Sequence, residues 1–415
     1  MVAIIILVLL LLFIWFLYDI FVFKMPTKQR FYPVRSGKPT LFADGPALFD
    51  DFFTVIENAS EEIYIFFYIV KRDQISEQFM NTLAKKAGQG VEVKLLLDWF
   101  GCRMIKRKLV KKIKEHGGEV RFSRIPKFPH IFQTINTRNH QKIAVIDGQT
   151  SYIGGFNVGK EYINKKAELA PWRDYHLKLE GEIGTDFRRE FLDMWHNKLT
   201  QFSNKSMNPL DVVKMAAPPI NRFNTEMSQA AQMADRVPST MQLLPYQSDA
   251  MEKQYLAYIG RAEKRILIGS AYFIPTKNIL QALVNALDRG VTLEIIFPER
   301  SDHILVHDAA VPAMRQLIPL GATFYLYQNG FYHAKFIAID DKLVEVGTAN
   351  FNIRSFITND EISCRLTDPV DIANIYKQIE ADINDSRLLT IADISRLNFL
   401  QKTKVNLVKL LAPFL

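Results

Sequence analysis

The stretch HQKIAVIDGQTSYIGGFN, residues 140–157, returns as HAKFIAIDDKLVEVGTAN at residues 333–350. Each copy gives His-x-Lys, four residues, Asp, then a glycine-containing step and an Asn. The residues are His140, Lys142, Asp147, Gly154, Gly155 and Asn157, matched by His333, Lys335, Asp340, Gly347, Thr348 and Asn350. Apolar, largely β-branched residues fill the space between Lys and Asp (Ile143 to Ile146, Phe336 to Ile339), as in a strand buried on both faces. Residues i and i+2 of a strand share a face, so each His points the same way as its Lys. An imidazole beside an ammonium is a poor cation site. It suits a phosphoryl group, which needs a nucleophile or proton carrier together with fixed positive charge. One such pattern arises by accident in roughly one chain in thirty of this size, but two with the same downstream step do not.

The repeat extends beyond the motif. Ile56 to Asp98 reads as helix end, strand, loop, helix, Gly-Val, strand, and Ile259 to Pro298 repeats that order. Apolar strands alternating with amphipathic helices predict an α/β fold in which a mixed sheet carries helices on its faces. A duplicated chain of this kind predicts two similar halves related by a pseudo-twofold axis, with both His-Lys pairs at the seam. Asn197 to Val237, rich in Ser, Asn, Pro, Met and Gln, reads as a connecting excursion.

The net charge of +8 favours an anionic partner, a lipid surface or nucleic acid. Cys102 and Cys364 are too few for a disulfide framework and lie in no metal-ligand spacing. Val2 to Tyr18 is uninterrupted apolar sequence, and after Asp19 the run continues through Phe23. This length predicts a membrane-spanning anchor over residues 1–24; a cleaved signal peptide would need a basic start and a small-residue cleavage site. Lys24, Lys28, Arg30, Arg35 and Lys38 follow it, so the positive-inside rule predicts a single-pass protein of the cell membrane with its bulk in the cytoplasm. Trp15, Tyr18, Phe21 and Phe23 would form an aromatic belt at that end. Lys106 to Lys114 is strongly basic, either a solvated helix face or a landing site for anionic headgroups. Residues 391–415 read as a basic amphipathic C-terminal helix, suited to an interface or to the protein's own core.

The motif residues suffice for phosphodiester chemistry. Lys142 and Lys335, with Asn157 and Asn350 as neutral donors, would surround the non-bridging oxygens. One histidine would attack phosphorus and the other would serve the departing and incoming alcohols as acid and base. The lysines would take the electrostatic role that Mg²⁺ plays elsewhere, so neither a metal nor another cofactor is called for. Asp147 and Asp340 complete the catalytic motif, with turn hydrogen bonding as their expected role. His176, His303 and His307 are left outside the core set.

At these residues the chain resembles the phospholipase D superfamily, whose signature is this duplicated His-Lys-Asp motif. WRDYHLKLEG (Trp172 to Gly181), GTANFNIRSF (Gly347 to Phe356) and the N-terminal anchor make it most similar to bacterial cardiolipin synthases. The resemblance implies two phospholipase D-like halves, at 40–196 and 241–390, joined by a linker at 197–240. It also implies that Asp174 orients His333 and Glu361 orients His140, each from the opposite half, and that His140 is the nucleophile. The implied activity is a phosphatidyltransferase joining two phosphatidylglycerol molecules into cardiolipin and glycerol. The alternative is a phospholipase D-type hydrolase of phospholipid. A nuclease fits less well, because no nucleic-acid-binding motif or stacking aromatics are found. The chain departs from the synthases at Leu244-Pro245-Tyr246-Gln247-Ser248, where they carry a Ser-Gly-Pro step.

Overall fold

A computed structural model describes residues 1–19, 30–196, 239–300 and 306–395. The linker at 197–238, the tail beyond residue 395, His303, Phe21 and Phe23 lie outside the described residues.

The first half contributes β1 (Val34–Asp44), β2 (Glu62–Phe67), β3 (Glu92–Asp98), β4 (Glu119–Ser123), β5 (Lys142–Ile146), β6 (Thr150–Gly154) and β7 (Trp172–Gly181). The second contributes β8 (Ser239–Tyr246), β9 (Arg265–Gly269), β10 (Phe273–Ile274), β11 (Thr292–Pro298), β12 (Thr323–Tyr327) and β13 (Phe331–Tyr332). It continues with β14 (Phe336–Ile339), β15 (Leu343–Gly347), β16 (Phe351–Asn352), β17 (Glu361–Leu366) and β18 (Ser386–Leu388). One large mixed sheet runs through both halves in the order β18-β12-β11-β9-β14-β15-β17-β8-β1-β7-β6-β5-β2-β3-β4. Read outward from the antiparallel β1–β8 pair, the two sides match strand for strand: β7 with β17, β6 with β15, β5 with β14, β2 with β9, β3 with β11 and β4 with β12. This is the sequence repeat expressed as topology. The first strand of each half opens at Val34 and at Ser239, and these two strands pair along Val34–Gly37 at the centre of the sheet.

Each motif strand is buried on both faces. On β5, Ile143 and Val145 join a core shared by the two halves, while Ala144 and Ile146 join one drawn chiefly from the first half, with Ala271 and Phe331 reaching in from the second. Helix α6 (Ile183–Trp195) and the helix Pro369–Asn384 cover the shared face through Phe187, Phe191, Ile375 and Ile379. Helices α2 (Gly45–Asn58) and α3 (Gln74–Gly88) cover the other face of the first half, and Ala250–Arg261 with Lys277–Asp288 cover that of the second. The helix starts follow from their caps: Asp44 accepts from Ala47 N, Asp73 from Ser76 N and Thr276 from Ile279 N. The basic run forms α4 (Arg107–Glu115), with Leu109 and Ile113 buried. Lys106 pairs with Glu77, Lys112 donates to Asn81, and Lys111 pairs with Glu115.

The apolar N-terminus forms α1 (Val2–Leu17), whose residues from Ile4 to Ile14 are exposed. Among the described residues no helix is long and apolar enough to cross a membrane: α1 has 16 residues where about 20 are needed. Its C-terminal end is docked on the protein. Trp15 donates to Pro129 O, Trp15 and Phe16 pack on Phe132, and buried Asp19 accepts from Phe132 N and Gln133 N. Asp19 thereby caps α5 (Ile131–Asn136), and Trp15 packs on Phe128 and Phe132 beside it.

Candidate active site

Two backbone contacts across the seam build the site. The His140 N–H donates to Asp360 O, and Asp360 N returns a bond to Arg138 O. At the other side the His333 N–H donates to Arg173 O, next to the parallel β13–β7 pair. In each case the residue after the backbone acceptor is the carboxylate. Glu361 of the second half lies 3.0 Å from Nδ1 of His140, and Asp174 of the first half lies 2.6 Å from Nδ1 of His333. Both carboxylates are fully buried, while the imidazoles keep 13% and 10% of their side-chain surface in contact with solvent.

The two carboxylates are held differently. Asp174 also accepts from Lys335 Nζ at 3.2 Å and from Tyr175 N at 2.8 Å. A Cβ on Gly155 would meet its oxygens at 2.0 Å, so glycine is required beneath it. At the matching position of the second half stands Thr348, whose hydroxyl donates to Glu361 at 2.6 Å. Ser355 donates to the same carboxylate at 2.7 Å. Sequence reading named Thr348 but missed Ser355; its only signal was its place in GTANFNIRSF.

Lys142 and Lys335 are buried, and each ammonium bonds the carbonyl of its own motif histidine, Lys142 at 2.7 Å. Burial pushes the Lys142 ammonium down to about 7 against the pull of Glu361, and the charge on Lys335 adds to the fall. Burial also lowers His140, to about 4, with Glu361 opposing and Lys142 adding to the drop. Burial alone would raise Glu361 and Asp174. The charge and hydrogen bond of His140 on Glu361, and the charges of Lys335 and His333 on Asp174, hold both carboxyls below their usual range. Tyr68 meets the His140 ring edge-on with centroids 4.8 Å apart, and Trp172 lies 4.9 Å from His333. Neither ring was anticipated, because aromatic contacts across loops leave no spacing in the sequence.

The remaining predicted residues sit farther back. Asn157 is buried; its amide donates to Tyr162 and its carbonyl accepts from Ile69 N. These bonds tie it to the scaffold. Asn350 is buried, with Oδ1 lacking a partner among the described residues. Asp147 and Asp340 lie at the far ends of their strands from the lysines. Asp147 accepts from the backbone N–H groups of Ser60, Glu61 and Glu62, and Asp340 from those of Glu263, Lys264 and Arg265. Both have positive φ, at 49° and 53°, and clamp the start of a neighbouring strand. Both carboxylates thus spend their hydrogen bonds on the backbone, the turn bonding expected of them. His176 is buried and held neutral, with burial pushing it to about 3. Among the described residues, no group of three or more His, Cys, Asp or Glu is placed to hold a metal ion.

Comparisons with known proteins bear on this geometry. The profile of the family described as "Cardiolipin synthase, PLD-like domain" matches residues 52–195 and 255–385, one segment in each half. The chain is 35% identical to the minor cardiolipin synthase ClsB of Bacillus subtilis over 99% of both chains. It is also 35% identical to cardiolipin synthase 2 of Staphylococcus epidermidis, over 91% of this chain and 74% of the relative. In three dimensions it resembles the phosphatidylserine synthase of Haemophilus influenzae, with a TM-score of 0.66 and 13% identity over 92% of this chain and 94% of that one. That likeness concerns the fold alone. Strand topology, the paired motif and identity along the whole chain agree, and the chain belongs to the cardiolipin synthase family of phospholipase D-like proteins.

Proposed function

We propose that this protein is a phosphatidyltransferase that joins two phosphatidylglycerol molecules, releasing glycerol and forming cardiolipin. The observation that carries this reading is the crossed pairing of His140 with Glu361 and His333 with Asp174 around two buried lysines. His140 attacks phosphorus through Nε2 while the bond to the leaving glycerol oxygen breaks, and His333 gives that oxygen its proton. The hydroxyl of the second phosphatidylglycerol then forms the new P–O bond. Its proton passes to His333 as the P–N bond to His140 breaks. The role of His140 as nucleophile is supported by its burial, which keeps the imidazole in the uncharged form that attack requires. Lys142 and Lys335 stabilise the charge that grows on the phosphoryl oxygens.

The membrane is the place of work in this reading. The apolar stretch from Val2, continued through residues outside the described set, anchors the chain, and the basic residues that follow keep the catalytic part in the cytoplasm. Purified protein incubated with labelled phosphatidylglycerol should yield cardiolipin and free glycerol in equal amounts. Phosphatidic acid as the main product would assign the protein to the hydrolases instead.

A further inference from the structure

Beyond residue 19, the described residues expose twelve large apolar side chains, and seven of them gather in three neighbouring segments. Trp99, Phe100 and Met104 stand in the loop after β3, and Ile125, Phe128 and Ile135 lie between β4 and β5. Phe128 is 80% exposed and Met104 59%, so neither belongs to a core. Contacts bring the segments together. Trp99 N donates to Ser123 O, and Phe100 and Ile135 line one groove with Phe16 and Tyr68. Arg354, donating to Asn136, adds the turn that carries the seventh, Ile357. The Tyr68 ring meets His140, so this apolar rim borders the mouth of the active site. Exposed apolar residues are ordinary when scattered singly, whereas a cluster marks a contact surface.

Three observations identify what covers it. The second half lacks the feature: residues 124–141 join β4 to β5, whereas residues 328–335 alone join β12 to β14 and expose no large apolar side chain. The charge has one sign. Trp99–Lys114 and Val120–Ile146 contain no acidic residue, while Arg103, Arg107, Lys108 and Lys127 are exposed among them. Apolar tips interleaved with cations complement an anionic lipid surface. The rim is also continuous with α1, which exposes apolar residues from Ile4 to Ile14. That helix meets the domain at the rim: the Trp15 ring lies 6.0 Å from that of Phe128, and Phe16 lines the groove. A bilayer that takes up Ile4 to Ile14 therefore brings its surface to Phe128.

We propose that residues 99–104 and 124–135 form a second membrane contact, separate from the anchor. Their aromatic and aliphatic tips enter the headgroup region of an anionic bilayer, and Arg103 and Lys127 meet lipid phosphates. The contact seats the mouth beside His140 on the lipid layer, so a phospholipid presents its phosphodiester without leaving the bilayer. It also fixes the tilt of the catalytic part, which a single anchoring helix leaves free.

This inference rests on the membrane reading above, and its test separates the two. The full chain is placed in nanodiscs of phosphatidylglycerol and phosphatidylcholine, with an environment-sensitive fluorophore on Phe128→Cys or on Leu388→Cys. Both native cysteines are buried, and Leu388, exposed on the strand at the far edge of the sheet, serves as reference. Lipids carrying a nitroxide near the headgroup should quench the fluorophore at 128 about fivefold more than the one at 388. In the double variant Met104→Ser with Phe128→Ser, KM as mole fraction of phosphatidylglycerol in the bilayer should rise about fivefold, with kcat kept. Its turnover of a dissolved short-chain phosphatidylglycerol should stay within about twofold of wild type. Equal quenching at 128 and 388, or a loss shared by bilayer and dissolved substrates, would overturn the contact. So would a fluorophore at 128 that shifts to the blue yet escapes lipid nitroxides, which would place a second copy or residues 396–415 on this surface. A chain that stays in vesicles through a carbonate wash but fails the quenching test loses the contact alone. Release of the wild-type chain by carbonate removes the membrane reading, and the contact with it.

Discussion

Glu361 lies 3.0 Å from Nδ1 of His140 although 221 residues separate them in the chain. The carboxylate reaches the imidazole because Asp360, one residue earlier, accepts the His140 backbone N–H. Main-chain pairing across the seam thus sets the side-chain pairing, and the same device recurs with Arg173, Asp174 and His333. The imidazoles are oriented only when the two halves are docked.

Removing one carboxylate at constant shape should therefore disable chemistry without disturbing the fold. Glu361→Gln is expected to lower cardiolipin formation by about 100-fold or more, since the neutral amide neither fixes the tautomer nor stabilises a cationic His140. Asp174→Asn should act in the same direction through His333. Thermal melting should stay close to wild type for Glu361→Gln, and activity within a few-fold of wild type would show that the pair does not orient the nucleophile.

The pH profile should carry the mark of Lys142. With its ammonium pushed down to about 7 by burial, the free protein loses that charge as pH rises through neutrality. kcat/KM is thus expected to fall above about pH 7. kcat should hold to higher pH, because a bound phosphate monoanion draws the proton back. Lys142→Arg, always charged, should remove the alkaline limb whatever its effect on the maximum. On the acid side, His140 is protonated only near pH 4, so no loss from that group is expected above about pH 5. An alkaline limb that persists unchanged in Lys142→Arg would remove Lys142 as its source.

Asp147 and Asp340 should behave as structural residues. Each carboxylate accepts three backbone N–H groups at the start of a buried strand, so its loss leaves donors without partners. Asp147→Ala or Asp340→Ala should cost about 1–3 kcal/mol of stability. The fraction that remains folded should turn over at a rate near wild type. A stable variant with turnover reduced 100-fold would return the aspartate to the catalytic set.

If the N-terminal apolar stretch anchors the chain, full-length protein should remain in the membrane pellet after carbonate and high-salt washes. Release by salt alone would mean that basic residues, such as those of α4, hold it to the surface by charge. Trp15→Ala should leave pelleting intact while loosening the contact with Pro129 and Phe132.

The sequence by itself determined the family, the duplication and the two His-Lys pairs. These are local facts: a strand places i and i+2 on one face, and a repeated motif with a repeated helix-strand order implies a repeated half. The mirrored strand order of the sheet is the same information unfolded in space. The sequence could not determine which carboxylate meets which histidine by geometry, since that depends on backbone bonds between segments more than a hundred residues apart. Nor did it separate the aspartates of the motif from its chemistry, because five residues of strand carry them to the opposite end of the sheet. Tertiary structure alone also decided the asymmetry around the seam. Gly155 yields space to Asp174 where Thr348 bonds Glu361, because packing between loops of different halves follows no periodicity that a single chain displays.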